Sequence, residues 1–104
     1  MAITMIVTYS LKPGVERSTF AQWSRDVDVP RCRKLDACLA FDTYVATAPQ
    51  DGQPDVVEVI TVTSANDWDA AMQSPGHQDV LARWDELADE DSLAILHTTS
   101  VTNP

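Results

Sequence analysis

A small set of side chains in this sequence could move protons if the fold removed them from water: Asp26, Asp28, Glu58, His77 and His97. A carboxyl group held in an apolar pocket has a raised pKa and can act as an acid or base near neutral pH, whereas a solvated one stays ionised. In Asp26-Val27-Asp28-Val29-Pro30 the two acids flank Val27 on a helical wheel, so either could lean inward and one is expected to do so. The alternative is a pair of solvated acids near a helix end. Pro30 has no N–H for the carbonyl of Asp26, so the helix is expected to kink there.

Glu58 stands amid Val56, Val57, Val59 and Ile60 and needs a pocket, a buried ion pair or an open strand end. His77 opens a helical face that also carries Trp84, where its near-neutral titration would suit proton shuttling; a helix cap or surface residue is the competing reading. His97 shares a strand face with Leu93, Ile95 and Thr99 and reads first as a core or interface histidine. Trp23, Tyr44 and Trp84 could wall a site for a flat ligand, although aromatic residues at such spacings also serve as plain core. No phosphate-cradling loop, nucleotide fingerprint, zinc motif or Ser/His/Asp pattern is present, so the expectation is chemistry without cofactor or metal. Cys32 and Cys38 lack metal or redox spacing and read as reduced, small apolar residues, with a catalytic thiol as the lesser alternative.

These groups must be positioned by a single domain spanning residues 1–104, since one core is normal at this length. Ile3 to Lys12 reads as a strand ended by Pro13-Gly14, and from Val15 the spacing turns helical, with Phe20, Trp23, Val27 and Arg31 on one stripe. Leu39 to Ala48 is a second strand with Phe41, Thr43 and Val45 on one face and Asp42, Tyr44 and Ala46 on the other; Val56 to Thr63 is a third. Ser64 caps a short helix, Ala65 to Met72, and a second helical piece, His77 to Ala88, precedes a last strand, Ser92 to Val101. The order βαββαβ predicts an α+β, ferredoxin-like domain, a four-stranded antiparallel sheet with its helices on one face.

The strands carry apolar residues on both sides, so the face away from the helices needs cover. A second copy packed sheet to sheet gives a homodimer, the dimeric α+β barrel. With 16 acidic residues against 7 basic and a formal charge of −9, nucleic acid and anionic membrane surfaces are excluded as partners. No basic leader or long apolar run is visible, and the expectation is a cytoplasmic protein.

The run Trp23-Ser24-Arg25-Asp26-Val27-Asp28-Val29-Pro30-Arg31-Cys32-Arg33-Lys34-Leu35, with Phe41 to Val45 and Gln78 to Leu87, resembles the RedY-like (HapK-like) family of small dimeric α+β barrel proteins. The resemblance implies a role in bacterial pigment or bisindole alkaloid biosynthesis, where such proteins are associated with cyclisation of reactive aromatic intermediates. It carries functional weight to Asp26, Asp28 and Glu58, and none to His77.

The expectation is therefore a cofactor-independent cyclase acting on a small heteroaromatic substrate. Asp28 is its main acid/base, Asp26 or His77 the second proton carrier, and Trp23, Tyr44, Glu58 and Trp84 bind the substrate. A cofactor-free aromatic monooxygenase and a non-catalytic carrier of a pathway intermediate are the alternatives.

Overall fold

The computed structural model describes residues 1–103. Four strands, β1 (Ile3–Leu11), β2 (Cys38–Val45), β3 (Val56–Val62) and β4 (Ala88–Thr98), form one antiparallel sheet in the order β2-β3-β1-β4. Between β1 and β2 lies one helical arm in three pieces: α1 (Arg17–Trp23), a π-turn (Ser24–Asp28) and α2 (Val29–Arg33). Between β3 and β4 come α3 (Ala65–Gln73), a 3₁₀ turn (Pro75–His77) and α4 (Gln78–Leu87). This is the expected βαββαβ order.

Strand parity divides the sheet cleanly. Met5, Val7, Tyr9 and Leu11 of β1 and Val56, Glu58, Ile60 and Val62 of β3 are buried beneath the helices, while the residues between them are half-buried. Across the opposite face one row reads Asp42, Val59, Ile6, Leu96 and the next reads Tyr44, Val57, Thr8, Ala94. Leu96 and Tyr44 are exposed on that face, which none of the described residues covers.

The last strand begins four residues earlier than its apolar run suggests. Its first residues, Ala88 and Asp89, pair with Leu11 and Ser10 beyond a register shift. Ser92 Oγ bridges this irregularity, accepting from the Ser10 amide at 2.8 Å and donating to the Asp89 carbonyl at 2.6 Å. The acidic sequence Asp89-Glu90-Asp91 hides this stretch because it lacks strand-like side chains. Ser64 caps α3 as expected, accepting from the Asp67 amide at 3.0 Å.

The helical arm departs from its expected stripe. Phe20, Ser24, Asp28 and Cys32 face the sheet, at four-residue steps, while Val27 is 36% exposed. In a regular helix of about 3.6 residues per turn, four-residue steps drift steadily off the buried side. The wider π-turn, with the Val29 amide bonded to the Ser24 carbonyl, takes up the surplus residue and keeps the stripe facing inward. It ends just before Pro30, where the missing N–H was expected to disturb the helix.

Candidate functional site

Under the helices, the sheet forms the floor of a cavity of about 200 Å³. Met5, Val7 and Ile60 supply apolar floor, and Trp68, Val80 and Trp84 supply wall and roof. The polar lining comes from Tyr9 on β1, Glu58 on β3, Asp28 at the end of the π-turn, Cys32 on α2 and His77 in the 3₁₀ turn. Leu93 and Ile95 of the edge strand β4 also line it and stay exposed, marking its open side.

Glu58 is 6% exposed and belongs to the inward row Thr43, Glu58, Val7, Ile95. Tyr9 pairs with Val56, so Glu58 is its diagonal neighbour, a span that a tyrosine can cross. Tyr9 Oη donates to Glu58 Oε2 at 2.6 Å. Burial, and then the charge of Asp28, push the Glu58 carboxyl up to about 8 against the opposing pull of that bond. Burial, and then Glu58, hold the Tyr9 hydroxyl far above its usual range.

Asp28 is also 6% exposed, and burial raises its carboxyl to about 6 while a hydrogen bond from Cys32 pulls the other way. Cys32 Sγ donates to Asp28 Oδ1 at 3.4 Å and lies 3.8 Å from His77 Nε2. Burial first, and Asp28 second, push the Cys32 thiol up, which keeps it protonated. Burial and the Arg31 guanidinium lower the His77 pKa, with Asp79 opposing. Arg31 also fixes that turn by a forked bond to both Asp79 oxygens at 3.0 Å and a bond to the Gly76 carbonyl at 2.7 Å.

At neutral pH the cavity thus contains one carboxyl group that is mostly ionised, Asp28, and one that is mostly protonated, Glu58. Two acids whose surroundings push their pKa values apart form a base and an acid facing one apolar space. Among the described residues, no three His, Cys, Asp or Glu side chains are grouped so as to hold a metal ion.

The profile of the REDY-like protein HapK matches residues 3–101. The chain belongs to the REDY-like HapK family. The crystal structure of HapK from Hahella chejuensis superposes on it with a TM-score of 0.83 at 22% identity, covering 98% of this chain and 95% of that one. A dimeric ferredoxin-like protein of unknown function from Bacteroides fragilis matches with a TM-score of 0.72 at 13% identity, over 95% of this chain and 96% of its own. A putative antibiotic biosynthesis monooxygenase from Chloroflexus aurantiacus matches at 0.66 and 19% identity, over 97% and 94%. No curated protein matches the chain. These REDY-like and ferredoxin-like relatives establish the fold; at such identities they transfer no chemistry.

The structure sorts the candidates drawn from the REDY-like sequence. Asp28, Glu58, His77 and Trp84 line the cavity. Asp26 does not: it is exposed, because the π-turn brings Ser24 and Asp28 inward and leaves the residues between them outside. Trp23 is half-buried and packs on Phe20, with ring centroids 5.9 Å apart, away from the cavity. Tyr44 is 58% exposed on the opposite sheet face, as the parity of Phe41, Thr43 and Val45 requires. His97 is exposed on β4, beside Met5, and does not line the cavity. Tyr9 is a polar lining residue that the sequence reading passed over, and Cys32, read there as a small apolar residue, is another. Tyr9 shares the parity of Met5 and Val7, and Cys32 lies four residues after Asp28.

Proposed function

We propose that this protein is a cofactor-independent cyclase that acts by acid/base catalysis on a reactive heteroaromatic intermediate, of bisindole or pyrrole type, in natural-product biosynthesis. The observation that carries the reading is the pairing of Asp28 and Glu58 on one apolar cavity. A ring closure on an electron-rich aromatic substrate must remove a proton from one position and deliver one to another. Asp28, ionised, takes the first; Glu58, protonated and oriented by Tyr9, gives the second. The aromatic edge of Trp84 and the apolar floor would hold a flat ligand and keep out water that diverts a reactive intermediate.

The working form in this proposal is a cytoplasmic homodimer, with the uncovered sheet face of one subunit against that of its twin. Support comes from the apolar residues on that face and from the dimeric relative of the same fold. The membership in the REDY-like HapK family favours a biosynthetic setting.

The test is product distribution by mass spectrometry when pure protein meets bisindole and pyrrole-type precursors, with oxygen uptake followed in parallel. Asp28→Asn should reduce cyclised product by about 10²- to 10⁴-fold, the usual contribution of one positioned proton transfer. Wild-type turnover in a folded Asp28→Asn protein would remove Asp28 from the chemistry. Stoichiometric oxygen uptake would make the protein a monooxygenase, and ligand binding with no change in products would make it a carrier.

A further inference from the structure

Cys32 has no part in the proton transfers above, yet it is 2% exposed and stands between Asp28, which has, and His77, which lines the same cavity. Its sulfur is 3.4 Å from Asp28 Oδ1 and 3.8 Å from His77 Nε2, so three side chains from the π-turn, α2 and the 3₁₀ turn form one line. Arg31 ties α2 to the turn that presents His77 through the Gly76 carbonyl, and to the start of α4 through its fork on Asp79, and so holds the line at its far end.

We propose that Cys32 is a positioning residue that joins His77 to Asp28, with its one thiol proton directed at Asp28 and its sulfur lone pair turned to His77 Nε2. The deepening rests on the reading of Asp28 as the proton-accepting group. A thiol has one proton, and a carboxylate can only accept, so the proton belongs on the Asp28 side. The sulfur then has only an acceptor role left for His77. The imidazole must carry its proton on Nε2 and leave Nδ1 bare, which fixes the tautomer.

The line can discharge Asp28 without any change at carbon and without electrons. Once Asp28 holds a proton it can donate to sulfur; the thiol then turns to Nε2 and the ring carries its proton on Nδ1. The Asp28 proton moves to sulfur while the thiol proton moves to Nε2 and the Nδ1 proton leaves. One proton departs Asp28, one departs the ring, and the histidine returns to its Nε2–H tautomer. The transfers run together because a buried thiolate beside Asp28 is disfavoured.

Other charges bear on the two ends. Glu58 on β3 and Tyr9 on β1 feel the charge of Asp28, and His77 feels Arg31 from α2 and Asp79 from α4. A test must therefore alter the thiol and leave those groups in place.

The experiment is a titration of the free protein by ¹³C NMR at the Asp28 carboxyl and ¹⁵N NMR at the His77 ring, for wild type, Cys32→Val and Cys32→Ser. The wild-type ring should be the Nε2–H tautomer while Asp28 is ionised. Cys32→Val fills the same space without a donor, and should raise the Asp28 midpoint above about 6 and release the tautomer. Cys32→Ser keeps a donor and should hold the midpoint at or below that of wild type, with the tautomer retained. An Nδ1–H ring in wild type with Asp28 ionised overturns the proposal, as does a folded Cys32→Val protein with both signals unchanged. If Cys32→Val does not fold, the wild-type tautomer and the Cys32→Ser titration decide. No substrate is used, so this result stands apart from the fate of the Asp28→Asn turnover test.

Discussion

Tyr9 and Glu58, 49 residues apart in the chain, meet at 2.6 Å inside the cavity. The bond favours the ionised carboxyl, while burial and Asp28 favour the neutral one and prevail. Glu58 is therefore a neutral acid made stronger by one phenol. Turnover should follow a bell-shaped pH profile, rising as Asp28 ionises near about 6 and falling as Glu58 does so near about 8. The two limbs belong to the interacting pair. Tyr9→Phe removes the donor and keeps the ring, so the alkaline limb should move upward. A profile whose alkaline limb is the same in both proteins would show that the phenol does not set Glu58.

The same two carboxyls should make stability fall as pH rises. Glu58 moves from 4.5 in the unfolded chain to about 8 in the fold, and Asp28 from 3.8 to about 6. Between those values the folded state binds more protons than the unfolded state, so the slope of unfolding free energy with pH is negative. Their contribution is fully present below about pH 4 and lost as pH rises through 6 and then 8. For Glu58 the loss is on the order of a few kcal/mol. Urea midpoints should drop between pH 5 and pH 9 in wild type and drop less in Glu58→Gln. Parallel declines in the two proteins would mean that Glu58 is not held neutral in the fold.

The route from sequence to this site was uneven for physical reasons. An acid in a run of β-branched residues has few places to go, and alternation along β3 puts Glu58 with Val56 and Ile60 on the buried side. That much is local. Whether Asp26 or Asp28 turns inward depends on an extra residue in a π-turn, which no 3.6-residue wheel can reveal. Tyr44 is different: the alternation of β2 already sets it opposite Phe41 and Thr43, so its exposure on the far face is legible in the sequence. Tyr9 and Cys32 needed knowledge of other chain segments. The diagonal from Tyr9 to Glu58 exists only in the register of β1 on β3, and the approach of Cys32 to His77 spans 45 residues.

The row Asp42, Val59, Ile6, Leu96 gives the homodimer proposal a single-residue test. Leu96 is 63% exposed on an otherwise uncovered sheet face. Burying a new carboxylate against a second apolar sheet is costly unless it finds a partner. Leu96→Glu should weaken self-association at least about tenfold, or about 1.4 kcal/mol, and shift the sedimenting species from dimer to monomer at micromolar concentration. The cavity is on the other face, so the fold and the Asp28 titration should persist. Wild-type protein that sediments as a monomer would remove the dimer from the proposal.

The π-turn that presents Asp28 contains a hydroxyl with no evident use. Ser24 is 2% exposed and its Oγ has no hydrogen-bond partner among the described residues. An unsatisfied buried hydroxyl costs about 1–3 kcal/mol, and alanine is also the better helix former. If packing of Phe20 and Cys32 on the sheet sets the wide turn, the hydroxyl is dispensable. Ser24→Ala should then raise stability by about 1 kcal/mol, read as a higher urea midpoint at unchanged slope, and leave the Asp28 titration where it was. A lower midpoint together with a shifted Asp28 would assign the hydroxyl a part in holding the turn, and packing alone would no longer account for the inward carboxyl.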